Sequence, residues 1–434
     1  MEKHKIFDKS FALPFFLVTA LFFFWGIPNN LNDILIKQFM KSFELNRFEA
    51  GLVQSAFYLG YFLLSMPAAF IMRRFSYKAG LVTGLFLFSI GTFLFYPAAL
   101  SGTYGFFLVA LFVIACGLAF LETGANPFIA VLGDSQSSER RLNFSQAFNP
   151  FGAIAGALVG TVFILSGKEP SLSEIETMKS MGTYESFLHN ETMRVVIPYL
   201  VLSGIVFIWA ILLLRTKFPK IADEPEGSEK GNRGNFKQLF SYPHFIKGVI
   251  TQFFYVGAQV GTWSYFIQYV QDYTSQTEKT AGYFLTGTLG AFLIGRFSAA
   301  YLMRFIRPNK LMGIYGSMNI ALVGIGILFP GWIGMWAIFL TSFFMSLMFP
   351  TIFALGIKGL GPNTKLAASM IVMAIIGGAV FTPIMGLITE HHSMALAMTI
   401  PLICYFVITY YSFIGSKPSG PLYDTGTNNV IASH

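Results

Sequence analysis

Apolar residues run along this chain in twelve long blocks separated by short polar breaks. The blocks lie at about 11–36, 48–72, 79–99, 104–132, 143–166, 194–214, 244–271, 280–303, 309–329, 332–357, 365–389 and 394–414. A helix needs about 20 apolar residues to cross the hydrocarbon core of a bilayer. Each block therefore predicts a transmembrane helix, and the longer ones imply tilt or a helix end projecting into water. The polar break from Lys217 to Tyr242 is the one long interior linker, and it divides the spans six and six. The organisation expected is an N-terminal six-helix bundle over 1–216, a cytoplasmic linker over 217–243, a C-terminal bundle over 244–414 and a disordered cytoplasmic tail over 415–434.

Composition supports the same class. The 434 residues are 54% hydrophobic, 17% aromatic and only 12% charged, more apolar surface than a soluble core absorbs. The net charge of +8 does not point to nucleic acid. With both termini inside, about 20 of the 29 Lys and Arg fall in cytoplasmic segments and about 7 in external ones, which is the orientation signal of a membrane protein. The only cysteines, Cys116 and Cys404, lie in separate runs, so neither a disulfide framework nor a thiolate metal site is expected. The six histidines stand at run ends, in loops or in the tails. The basic N-terminus and first run imitate a signal peptide, but that run is long and lacks a small-residue cleavage site.

The halves repeat each other. Gly60-Tyr-Phe-Leu-Leu64 with Ile71-Met-Arg-Arg-Phe75 aligns with Gly290-Ala-Phe-Leu-Ile294 and Tyr301-Leu-Met-Arg-Phe305, a shift of 290 − 60 = 230 that pairs Arg74 with Arg304. Asn126-Pro-Phe-Ile-Ala-Val-Leu-Gly133 aligns with Phe349-Pro-Thr-Ile-Phe-Ala-Leu-Gly356, a shift of 350 − 127 = 223. Two six-helix bundles in parallel repeat match the major-facilitator plan, in which a substrate sits at the bilayer midplane.

Polar residues inside the spans then carry the chemistry. In span 1, Trp25, Asn29 and Asp33 recur at i, i+4, i+8, with Asn32 beside them and Pro28 interrupting the backbone donors. In span 4, Glu122 and Asn126 are i, i+4; in span 5, Gln146 and Asn149 are i, i+3, followed by Gly152, Gly156 and Gly160 at the spacing of close helix packing. Span 7 repeats the first pattern with Tyr255, Gln259 and Trp263. Burying an ionised carboxylate at the depth of Glu122 costs roughly 2.5–3.5 kcal/mol on insertion scales. Such a residue faces an aqueous cavity, has a partner or exchanges a proton, and Glu122 reads as a proton site. Amides, carboxylates and aromatic faces together suit a sugar, whose hydroxyls donate and accept while its apolar face stacks on a ring. The competing reading is that the amides pair across helices to lock the bundle. Arg296, the third charge clearly inside a span, sits close enough to the cytoplasmic end of span 8 to snorkel, and reads as structural or gate-forming.

Asn29-Asn-Leu-Asn-Asp-Ile-Leu35, Gln54-Ser-Ala-Phe-Tyr-Leu-Gly-Tyr61, Leu121-Glu-Thr-Gly-Ala-Asn-Pro-Phe128, Phe148-Asn-Pro-Phe-Gly-Ala153 and Tyr255-Val-Gly-Ala-Gln259 resemble the L-fucose permeases of the major facilitator superfamily. The resemblance implies proton-driven L-fucose uptake across a bacterial inner membrane, by a monomer without cofactor or metal. It places the essential acids on Asp33 and Glu122 and the cavity lining on residues such as Asn30, Gln146 and Asn149. Glucose and galactose relatives tend to carry Gln where Glu122 stands and to lack the Asn29-Asn30 pair. In the other direction, fucose permeases tend to show a tyrosine before Pro350-Thr-Ile-Phe353, where this chain has Phe349. The candidate sites are thus Glu122 and Asp33 for protons, and Trp25, Asn29, Asn30, Asn32, Asn126, Gln146, Asn149, Gln259 and Trp263 for the sugar. A symporter for galactose or glucose, a Na⁺-driven one, and a sugar sensor that moves no cargo stay open as alternatives. An enzyme is not expected, since no His-Glu-x-x-His or Gly-x-Ser-x-Gly motif occurs.

Overall fold

A computed structural model describes residues 12–132, 144–146, 148–218, 236–303, 305–360 and 363–418. Most of the predicted linker, the tail beyond 418, and Arg304 lie outside the described residues. Helices stand at all twelve predicted runs. In the first six they are Ala12–Ser42, Arg47–Arg74, Tyr77–Phe93 continued by Phe95–Ser101, Tyr104–Val131, Phe148–Val159 continued by Gly160–Ile164, and Val196–Arg215. The last six are Pro243–Thr274, Glu278–Leu302, Pro308–Leu328, Trp332–Met345 with Met348–Gly356, Thr364–Met373 leading into Gly377–His391, and Thr399–Tyr410 preceded by Met394–Ala397. Ten of these are both long and apolar enough to cross a membrane. Spans 7 and 8 have the length but carry more polar residues.

Local chemistry sets where helices begin. Asn46 caps span 2 with a reciprocal capping box: its side chain accepts from the Glu49 amide at 2.7 Å while Glu49 accepts from the Asn46 amide at 3.1 Å. Ser76 caps span 3 in the simpler way. Pro243 and Pro308 open spans 7 and 9, where a missing backbone donor costs nothing. Outward-facing Phe16, Leu63, Val201, Ile208, Phe297 and Phe406 are exposed, as side chains meant for lipid are.

The chain divides into two compact units, Met1–Glu226 with Gln276–Thr286, and Gly227–Ser275 with Gly287–His434. The first turns of span 8 thus cluster with the first unit, and the rest of that helix with the second. In the first unit span 4 packs against spans 2 and 3, and span 1 packs along span 5. The contact of spans 1 and 5 is main chain on main chain. A methyl group at Gly152 would fall on the Phe23 carbonyl, and one at Gly156 on the Ile27 carbonyl. The four-residue glycine spacing is therefore a packing device. In the second unit span 9 packs against spans 10 and 12, and span 7 against span 11.

One buried polar cluster in the first unit lies away from the predicted residues. Lys41, at the end of span 1, donates to Glu278 at 2.6 Å and to Ser166 at 2.9 Å, and pairs with Glu191 at 2.9 Å. Gln38 donates to the Glu191 main-chain carbonyl at 2.8 Å and to its carboxylate at 3.1 Å. Glu278 is fully enclosed, and it also accepts from the Gly167 amide at 2.8 Å.

Candidate substrate and proton site

Span 1 is helical straight through Pro28, which carries its polar residues at helical spacing. Asn30, Asn32 and Asp33 are buried, whereas Asn29 is half-buried. The Asn30 amide donates to the Gly26 carbonyl one turn back (3.1 Å), which occupies it within its own helix. Asn32 is fully enclosed, and neither of its side-chain polar atoms has a partner among the described residues. Asp33 accepts a hydrogen bond of 2.9 Å from the Gln54 amide of span 2. Trp25 is buried with its ring tilted against Phe22, the centroids 4.4 Å apart.

Spans 4 and 5 complete the arrangement. Glu122 is half-buried, and among the described residues no Lys or Arg lies within ion-pair distance of it. One turn on, the Asn126 amide donates to the Glu122 main-chain carbonyl at 3.1 Å, and its oxygen accepts from Gln146 at 3.1 Å. Asn149 donates to the Phe22 carbonyl of span 1 at 3.3 Å. Asn29, Glu122, Asn126, Gln146 and Asn149 are all half-buried; span 1 packs against spans 4 and 5, and the Gln146–Asn126 bond joins spans 5 and 4. Five polar side chains left partly accessible within membrane spans suit a wet chamber, because lipid would penalise each of them. That chamber would present amide donors and acceptors beside one carboxyl group.

Gln259 and Trp263 belong to the second unit. Gln259 is half-buried, while Trp263 is buried and donates its indole N–H to Ser342 Oγ at 2.9 Å. Its ring meets Phe292 edge-on at 5.3 Å, so the polar atom of this tryptophan is engaged within its own unit. Arg296 is half-buried, with its guanidinium 5.1 Å from the centre of the Phe292 ring. Two further residues beside the acids went unassigned in the sequence. Gln54 holds Asp33, and the buried Tyr61 stands within electrostatic reach of Glu122 and next to Asn29. The signal available was their spacing on span 2, where Gln54, Tyr58 and Tyr61 fall on one helix face.

Comparison with known proteins settles the family. The profile described as Major Facilitator Superfamily matches residues 14–365. The chain belongs to that superfamily. Within this superfamily it is 42% identical over 414 residues to the L-fucose-proton symporter of Escherichia coli, covering 94% of each chain. It is 36% identical to the L-fucose-proton symporter of Haemophilus influenzae (94% of this chain, 98% of the other), and 35% identical to a glucose/galactose transporter of Brucella abortus (94% and 96%). Among solved superfamily members, a crystal structure of the transporter FucP in the outward conformation superposes with a TM-score of 0.71 at 42% identity, covering 94% of this chain and 99% of that one. The fold is the major-facilitator fold, built of transmembrane helices, and the protein is a multi-pass membrane transporter.

Proposed function

We propose that this protein carries L-fucose into the cell together with a proton, by alternating access, as a monomer in a bacterial inner membrane with both termini cytoplasmic. The observation that carries this reading is Glu122: an acid inside a span, partly accessible, and free of any ion-pair partner among the described residues. An acid fixed to a lysine or arginine could not discharge its proton at each cycle. The identity to the two L-fucose-proton symporters supports the choice of sugar and ion.

The cycle follows from electrostatics. Protonated Glu122 is neutral and can donate to a sugar hydroxyl, while Asn29, Asn126, Gln146 and Asn149 offer both donors and acceptors for the others. A loaded, neutral site tolerates a dry occluded state, whereas a bare carboxylate resists it. On the inner side the carboxyl group is wetted again, its proton leaves and the sugar follows. Asp33 relays protons toward Glu122 from the outer mouth. One charge moved inward yields about 2.3 kcal/mol per 100 mV of membrane potential, before any pH gradient is added.

The test is Glu122→Gln in proteoliposomes under an imposed pH gradient. Accumulation of L-fucose is expected to be lost while sugar exchange at equal pH persists; undiminished accumulation would sink the reading. Counterflow of labelled L-fucose against galactose and glucose, at two pH values and with or without Na⁺, decides sugar and ion.

A further inference from the structure

Span 2 contributes nothing to the predicted site, yet it bonds to one acid and lies within electrostatic reach of the other. Gln54, Tyr58 and Tyr61 stand at i, i+4 and i+7 on Arg47–Arg74, a row about 10 Å long at 1.5 Å per residue. All three are buried. At one end the Gln54 amide donates to Asp33 Oδ1 at 2.9 Å. At the other, Tyr61 lies within electrostatic reach of Glu122 on span 4, beside the Asn29 side chain of span 1. Tyr58 lies between them, its ring centroid 6.2 Å from that of Tyr61. The Tyr61 hydroxyl is enclosed, and the side chain of Asn29 stands beside it. A buried hydroxyl needs a partner in every state of the protein, or it costs free energy.

The chemistry of the two ends differs. An amide N–H can only donate to a carboxylate, so Gln54 favours the ionised form of Asp33. A phenol O–H donates to an ionised carboxylate and accepts from a protonated one, so it can follow Glu122 through both states. We propose that span 2 is the helix that tunes the coupling pair: Gln54 positions and charges Asp33, and Tyr61 is the partner Glu122 turns to as it gains and loses its proton. This rests on the assignment of Asp33 and Glu122 as the coupling acids. Few other titratable groups face this row. Span 1 brings Asp33, with Lys37 one turn on already paired to Glu169 at 3.3 Å. Span 4 brings Glu122 and, where it crosses Gly60, the buried Cys116. Span 2 itself adds Tyr58, and span 3 meets its inner half through an apolar cluster around Met72 and Phe120.

The experiment compares Gln54→Leu and Tyr61→Phe with Asp33→Asn and Glu122→Gln in proteoliposomes, using L-fucose. Proton-driven uptake is recorded against external pH and expressed relative to each variant's own sugar exchange. Gln54 donates only, and the bond of Tyr61 to an ionised carboxylate is stronger than its bond to a neutral one, so losing either lets the acid hold its proton to higher pH. The alkaline limb of uptake is therefore expected to move up by about one pH unit in both Gln54→Leu and Tyr61→Phe, the size set by one hydrogen bond to a charged group. Should both keep the wild-type profile while Asp33→Asn and Glu122→Gln change it, span 2 has no tuning role and the coupling acids stand. If instead the two acid variants also keep the wild-type profile and full accumulation, the coupling assignment itself falls. Tyr61→Phe preserves volume, so it reports even where Gln54→Leu does not assemble. Loss of exchange and uptake together in Tyr61→Phe, with no profile to shift, would make Tyr61 a sugar contact or a packing residue and overturn the proposal.

Discussion

The two units share a scaffold and differ in chemistry. Shifting by 230 carries Phe23 to Phe253, Trp25 to Tyr255, Asn29 to Gln259 and Asp33 to Trp263 (263 − 33 = 230). The packing repeats too, with its glycines offset by 377 − 152 = 225. Gly152 abuts the Phe23 carbonyl in the first unit, and Gly377 abuts the Phe253 carbonyl in the second. The charges do not repeat. Asp33 with its Gln54 donor corresponds to Trp263, and Gln54 and Tyr61 correspond to Phe284 and Ala291. Tyr58 corresponds to Thr288, which joins Trp263 in hydrogen-bonding Ser342, at 2.6 and 2.9 Å. Glu122 corresponds, at a shift of 223, to the fully buried Met345. One half keeps a titratable row where the other has a neutral one, so the coupling proposed for Asp33 and Glu122 has no counterpart at the matching positions of the second unit, while both retain the same main-chain contacts.

That contrast can be broken at its strongest point by Met345→Glu. Met345 is enclosed, so a carboxylate there is taken out of water. Destabilisation of at least roughly 3 kcal/mol is expected, seen as loss of folded protein in a detergent melt. A variant that melts like the parent would show the second unit able to host an acid as the first does. The shared scaffold is tested next by Gly152→Ala and Gly377→Ala. Each inserts a methyl group against a carbonyl and should cost about 1–3 kcal/mol, by similar amounts, in the same melt. A large cost in one and none in the other would mean the repeat is not structural. The smallest effect is expected from Trp263→Phe, which removes the donor to Ser342 and should cost about 0.5–1.5 kcal/mol. Its uptake should keep the parental pH dependence; a shifted profile would place proton coupling in both units.

The sequence makes the twelve spans legible because length and apolarity are enough to define a membrane helix. It does not mark where helices end in water. Span 1 continues to Ser42, beyond its apolar run, since Gln38 and Lys41 find partners in Glu191, Ser166 and Glu278. Nor could the sequence say which faces of spans 1 and 2 meet. Each helix carries a polar row, but nothing in either row says that it pairs with the other or that Gln54 lies against Asp33. The amides of the site show a similar limit. Spacing and resemblance together put Asn29, Asn30 and Asn32 on one list, but burial separates a half-accessible Asn29 from an Asn30 bonded to its own helix and an enclosed Asn32. Glu122 was legible because nothing else in its run is charged.

The glycine seam between spans 1 and 5 has a consequence for recognition. Where backbone lies on backbone there is no flexible side chain to act as a cushion, so the two helices behave as one gauge block. The separation between Asn29 on one and Asn149 on the other is then a fixed calibre. Swapping the amides themselves should retune what is gripped without changing the width of the jaw.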